Sequence, residues 1–240
     1  CDLGQYALPG ASTCTLASAG SFVAAQGMSK EDECPAGKYS GSAAESCKDC
    51  VAGRYSGPGA DTCELAEAGY FYANQKAWEQ VPCEAGRYSG PAATECTPCA
   101  EGSYASKQGS ATCTAASAGS FVAKPGATSE VRCEPGERSG VGQSKCEQCQ
   151  PGTYASDAGS TTCDLCEAGT FAEESGKSAC DECPAGKYAA AAGSTMCSIA
   201  NAGSYTSKKG SSEQATCKAG TISGPEQSEC TKCPAGSFAA

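Results

Sequence analysis

CDLCEAGTFAEESGKSACDEC, Cys163 to Cys183, and CTLASAGSFVAAQGMSKEDEC, Cys14 to Cys34, align over 21 residues without a gap. The first carries four cysteines and the second two. Ala17 stands where Cys166 stands, and Glu31 stands where Cys180 stands. The same two slots are emptied together three more times, as Ala66 with Gln80, Ala116 with Glu130, and Ala200 with Gln214. Losing one member of a disulfide leaves a reactive thiol, whereas losing both leaves nothing unpaired. The joint loss therefore pairs Cys166 with Cys180, and the repeat contains its own deletion experiment.

Extended along the chain, the rule gives Cys1–Cys14, Cys34–Cys47, Cys50–Cys63, Cys83–Cys96, Cys99–Cys113, Cys133–Cys146, Cys149–Cys163, Cys183–Cys197 and Cys217–Cys230. With Cys166–Cys180 these make ten bridges. Cys233 is left over, and its partner is expected about 13 residues on, past Ala240. The odd count reads as a window cut from a longer array.

Glycine supplies the period, which is sought first in any such chain. Fifteen glycines from Gly4 to Gly236 recur in steps of 16 or 17 residues, and an aromatic stands two residues after 13 of them. Arg138 and Ile222 take the other two places. The unit reads C-x-x-G-x-[YF]-x(7–8)-C, and the next begins after a two-residue linker. Repeats start at Cys1, Ala17, Cys34, Cys50, Ala66, Cys83, Cys99, Ala116, Cys133, Cys149, Cys166, Cys183, Ala200 and Cys217, with the start of a fifteenth at Cys233. Four are unbridged: 17–31, 66–80, 116–130 and 200–214.

Composition explains why such a chain needs bridges. Leu, Ile, Val and Phe are 18 of the 240 residues, too few for a packed globular core. Cys, at 21 residues, reverses the reading toward disorder, because covalent staples can order a chain that buries little apolar area. Cys at this density, once oxidised, places the protein outside the reducing cytosol. A loop of this length closed by one bridge contributes about 3 kcal/mol in the chain-entropy account.

Each unit is expected to be a miniature irregular β-hairpin. The glycine makes a tight turn, the aromatic lies in a short extended stretch, and a second turn returns the chain to the closing Cys. Contacting only their neighbours, the units are expected to stack into an elongated solenoid-like rod, with the aromatics packed between them. The fold class is therefore small, disulfide-rich and mostly irregular or β.

Several functions are excluded or disfavoured. A net charge of −10 without a basic stripe argues against nucleic-acid binding. The chain has no histidine, and it shows no phosphate loop and no G-x-S-x-G, so no enzyme, small-molecule substrate or cofactor is expected. Cys163, Cys166, Cys180 and Cys183 have zinc-site spacing. The unbridged repeats, however, would strip one ligand from each CxxC, whereas they remove one clean pair from the staple scheme. No βαβ context supports a redox CxxC, and the register of Cys1 with Cys14 disfavours a lipidated N-terminus. Glu31–Glu33 and Asp181–Glu182 lack the ligand pattern of a calcium loop. Neither Asn74 nor Asn201 lies in a sequon, and Ser/Thr side chains in the turns are the candidate glycan acceptors. The fifth repeat holds the three aromatics outside the regular slot, Tyr70, Tyr72 and Trp78. They either pack in place of the lost bridge or form a contact patch.

CPAGKYSGSAAESCKDC (Cys34–Cys50), CPAGKYAAAAGSTMC (Cys183–Cys197) and CPAGSF (Cys233–Phe238) resemble the ephrin-receptor-like cysteine-rich repeat of extracellular proteins. The resemblance runs over essentially the whole chain, with the bridge missing four times. It implies tandem disulfide modules in large secreted or cell-surface proteins, including protist and algal proteins of the mastigoneme type, with no catalytic residues to carry over. Two functions are expected to compete: a structural rod that assembles with itself or with other extracellular proteins into a filament or appendage, and the stalk of a receptor or adhesion protein.

Overall fold

The computed structural model describes residues 1–72, 79–234 and 236. Among them there is no helix. There are 28 strands of two residues each, in fourteen antiparallel pairs. In each pair the first strand is the two residues after the repeat's glycine. The second is the linker dipeptide that follows the closing Cys, or the Glu or Gln in its place, as in Thr170–Phe171 against Asp181–Glu182, where Thr170 faces Glu182 and Phe171 faces Asp181. The sequence reading returned the chain at the closing Cys. The structure carries the return strand one step further, into the linker, because the ladder continues to the N–H of Cys183, which donates to Gly169 O at 3.0 Å. The linker is thus a strand and not a spacer.

The glycine before the first strand is required twice over. Thr170 N–H donates to Glu167 O at 3.0 Å, closing a turn in which Gly169 sits at a φ of +91°, a conformation that strains any residue with a Cβ. A Cβ on Gly169 would also overlap the Gly210 carbonyl.

The chain forms two compact units, Cys1–Thr114 with Lys124–Ser129, and Ala115–Ala123 with Glu130–Ala240. In the first, consecutive repeats are joined by three backbone rungs. Between the second and third repeats, Gly20 N–H donates to Ser40 O at 2.8 Å, Val23 N–H to Ala44 O at 3.0 Å, and Ala43 N–H back to Ala17 O at 2.8 Å. The second unit uses the same three rungs: Gly169 to Ala189 at 2.8 Å, Ala172 to Ser194 at 3.1 Å, and Gly193 to Cys166 at 2.7 Å. These bonds satisfy backbone groups that two-residue strands alone would leave open.

The expectation that units touch only their neighbours is corrected. In the first unit a Cβ on Gly20 would meet the Gly59 carbonyl, and one on Gly86 the Gly126 carbonyl. In the second, Gly119 abuts Gly159 and Gly169 abuts Gly210 in the same way. Each pair lies two repeats apart, so the second turn of one repeat is braced against the first turn of the repeat two before it.

In each unit the core is a column of small and sulfur-bearing side chains. The first residue of twelve of the fourteen repeats is at most 1% exposed: Ala17, Cys34, Cys50, Ala66, Cys83 and Cys99 in the first unit, and Ala116, Cys133, Cys149, Cys166, Cys183 and Ala200 in the second; Cys1 is exposed and Cys217 half-buried. The residue three after the glycine joins it, from Val23 and Ser40 to Ala172 and Ala189. The described aromatics of the regular slot, expected to fill the space between units, are only half-buried. Strand alternation is the reason. The position three after the glycine faces the column, as buried Val23 does, and at Ser21, Ser120 and Ser204 the position one after it is buried too, while the aromatic between them points to the other face of the strand. Of the two departures from the aromatic slot, Arg138 ion-pairs with Glu147 at 3.2 Å across its hairpin, and Ile222 is 43% exposed.

Candidate functional site

Ten disulfides join Cys1 to Cys14, Cys34 to Cys47, Cys50 to Cys63, Cys83 to Cys96, Cys99 to Cys113, Cys133 to Cys146, Cys149 to Cys163, Cys166 to Cys180, Cys183 to Cys197 and Cys217 to Cys230. Their Cα atoms lie 5.5–5.8 Å apart, within the span a bridge accepts. Cys233, half-buried, joins no bridge among the described residues.

The four unbridged repeats carry the most informative local chemistry. In each, the side chain at the lost closing Cys accepts a hydrogen bond from the backbone N–H just after the lost opening Cys. Ser18 N–H donates to Glu31 Oε2 at 2.6 Å, Glu67 N–H to Gln80 Oε1 at 2.8 Å, Ser117 N–H to Glu130 Oε2 at 2.6 Å, and Asn201 N–H to Gln214 Oε1 at 2.7 Å. A covalent closure is thus replaced by a polar clasp over nearly the same loop. Only Glu and Gln pair an acceptor oxygen with this reach, which accounts for the residue types.

Two more changes travel with the clasp. The buried slot three after the glycine holds Val23, Tyr72, Val122 and Thr206 in the unbridged repeats, but Ala or Ser in every bridged one. These larger side chains are at most 3% exposed. They return volume to a column that has lost its sulfur, and close-packed interiors do not tolerate the void otherwise. The repeat that follows an unbridged one always carries Ser in that slot. Its hydroxyl donates back across the junction: Ser40 to Ser21 O, Ser89 to Tyr70 O and Ser223 to Ser204 O at 2.8 Å, and Ser139 to Ser120 O at 2.9 Å. Ser56 and Thr206 make the same bond elsewhere. The signal for all of this was present in the sequence as correlated substitutions at three positions.

Of the three extra aromatics of the fifth repeat, burial decides the role of Tyr72. Tyr72 is 2% exposed, fills the interior slot, and lies with its ring centroid 6.4 Å from that of Tyr55. It packs in place of the lost bridge and offers nothing to a partner. Tyr55 in turn donates its hydroxyl to Glu64 Oε2 at 2.9 Å, which holds the phenol above its ordinary pKa. Tyr70 is half-buried, its phenol against Gly109. Trp78 lies outside the described residues. The acidic stretches are engaged locally, Glu31 in its clasp and Asp181 with Lys177 at 2.7 Å.

Comparison with known families matches residues 86–133 and 136–178, twice in tandem, to the model described as tyrosine-protein kinase ephrin type A/B receptor-like. No curated protein matches the chain. This family is a receptor-like cysteine-rich repeat and not a catalytic domain. Its extracellular setting agrees with ten disulfides, which persist in oxidising compartments, so the chain reads as an extracellular or cell-surface structural or receptor-like ectodomain. The tandem match places two ephrin-receptor-like cysteine-rich repeats within residues 86–178, and hairpins and bridges of the same form recur on either side of them.

Proposed function

We propose that the array is a non-enzymatic structural protein, a rod that assembles into an extracellular filament or surface appendage of the mastigoneme type. The observation that carries this reading is the repetition of three main-chain rungs at junction after junction in each unit. Such a joint is independent of side chains, so it suits a part whose task is length and regularity. Fold alone does not assign function, and the surface adds a second support. Among the described residues, six of the twelve large exposed apolar side chains lie in linker strands, and five of these, Leu16, Leu65, Val81, Val131 and Ile199, flank an unbridged repeat. Apolar side chains 46–56% exposed at recurring places suit side contacts between copies of this chain.

A second reading, the stalk of a receptor or adhesion protein, draws on the receptor-like family match. Electron microscopy of native, non-reduced protein at several concentrations separates the two. Regular filaments that weaken in the Leu65→Ser/Val81→Ser variant support assembly. Isolated molecules at every concentration favour the stalk.

A further inference from the structure

We propose that the unbridged repeats give this protein a mechanical function: they are built-in extension points that let out chain under tension while the bridged repeats hold. The inference holds for a filament and for a stalk alike, since both carry load along the chain.

The argument starts from the path that tension takes. In a bridged repeat the force enters at the opening Cys, crosses the disulfide and leaves at the closing Cys, so the loop between them is out of the load path. Cys166 and Cys180 cannot separate beyond the reach of their bridge, 5.7 Å between Cα atoms as folded. The linker adds three peptide steps, so the whole load path of a bridged repeat extends to only about 16 Å. In the second repeat nothing covalent joins Ala17 to Glu31. Its closure is the Ser18–Glu31 hydrogen bond, and in the thirteenth repeat it is the bond of Asn201 to Gln214. Fourteen peptide steps at full extension span roughly 50 Å, so opening one such repeat releases about 40–45 Å.

Three features make this a built device and not a defect. The clasp has the same donor position and the same class of acceptor in all four repeats. The enlarged buried slot, Val23 and Thr206 among them, keeps the closed state packed at rest. The following serine, Ser40 or Ser223, ties the opening element to a bridged neighbour that stays folded. That neighbour provides a template on which the released loop refolds when tension falls. Hydrogen bonds and packing re-form spontaneously, whereas a broken disulfide needs an oxidant.

Single-molecule force spectroscopy on the full chain, pulled from its ends without reductant, tests this. The expected trace shows four steps of about 40–45 Å, each recovered on relaxation. The oxidised variant Ala17→Cys/Glu31→Cys loses one step, and Ala200→Cys/Gln214→Cys added to it loses a second, with the new bridges verified by non-reducing peptide mapping. Dithiothreitol adds steps from the bridged repeats. The proposal is overturned if the steps are absent, if their number is unchanged in both cysteine variants, or if bridged repeats give steps of that size without reductant. Filament formation plays no part in this measurement, so the assembly reading stands or falls separately.

Discussion

Two repeats of the second unit, 166–180 and 200–214, solve one problem in two ways. Both open on a residue with no exposed surface, Cys166 or Ala200, and both bend at a left-handed glycine, Gly169 or Gly203. Both are tied to their neighbours by the same rungs. The first is closed by sulfur and carries Ala172 in its buried slot. The second is closed by Gln214 on Asn201 N–H, carries Thr206 in that slot, and is held from the next repeat by Ser223. The comparison teaches that the disulfide can be exchanged for a set of small changes, none of which would suffice alone. A native bridge in a small module is worth about 2–5 kcal/mol. A clasp hydrogen bond is worth about 0.5–1.5 kcal/mol, and a buried methyl or methylene about 1 kcal/mol.

The strongest way to break the comparison is to transplant it. Cys166→Ala/Cys180→Ala should cost about 2–4 kcal/mol, read as a lower thermal midpoint and faster proteolysis within 166–180. Changing the pair instead to Cys166→Ala/Cys180→Gln, together with Ala172→Val, should recover about 1–2 kcal/mol of that loss. If the triple variant is no more stable than the double, the three changes are not a functioning set.

A smaller effect isolates the clasp. Gln214→Ala should destabilise the thirteenth repeat by about 1 kcal/mol. The readout is amide exchange at Asn201, which should speed up several-fold while exchange at Cys183, in the bridged neighbour, stays unchanged. Glu31→Gln should be close to neutral, because an amide oxygen serves at Gln80 and Gln214 already.

The smallest expected change lies at the second turn. Ala43 and Ala92 hold φ values of +58°, where most repeats place glycine. Ala43→Gly should stabilise by about 0.5–1 kcal/mol by removing the left-handed strain, measured as a rise in thermal midpoint. A fall in stability would show that the Cβ makes contacts that outweigh its strain.

Much of this molecule was legible before its structure. The bridges could be read because Ala17 and Glu31 replace two cysteines of the pattern together, a correlation that no single repeat could supply. The turn glycines were legible from their period. The return strand was not, because Asp181–Glu182 has no strand propensity and is held there by the ladder alone. The clasp was half legible. Glu31, Gln80, Glu130 and Gln214 share a chemical type, yet only the geometry shows that they reach a backbone N–H. The role of Tyr72 stayed open between packing and contact because an extra aromatic looks the same in sequence whether it faces solvent or fills a slot. The braces between alternate repeats, Gly20 with Gly59 or Gly169 with Gly210, involve no side chain at all, so nothing in the residue types announces them beyond the glycine itself.

Those main-chain joints have a consequence for ancestry. A gene segment encoding one unit can be copied or lost in frame, and the seam it leaves will be built of the same carbonyls and amides as every other. Copy number is then free to drift, and selection can set the length of the array without redesigning a single interface. The surviving marks of such a history would be blocks of similar spacing, and the recurrence of unbridged repeats at Ala17, Ala66 and Ala116, about three units apart, has that form.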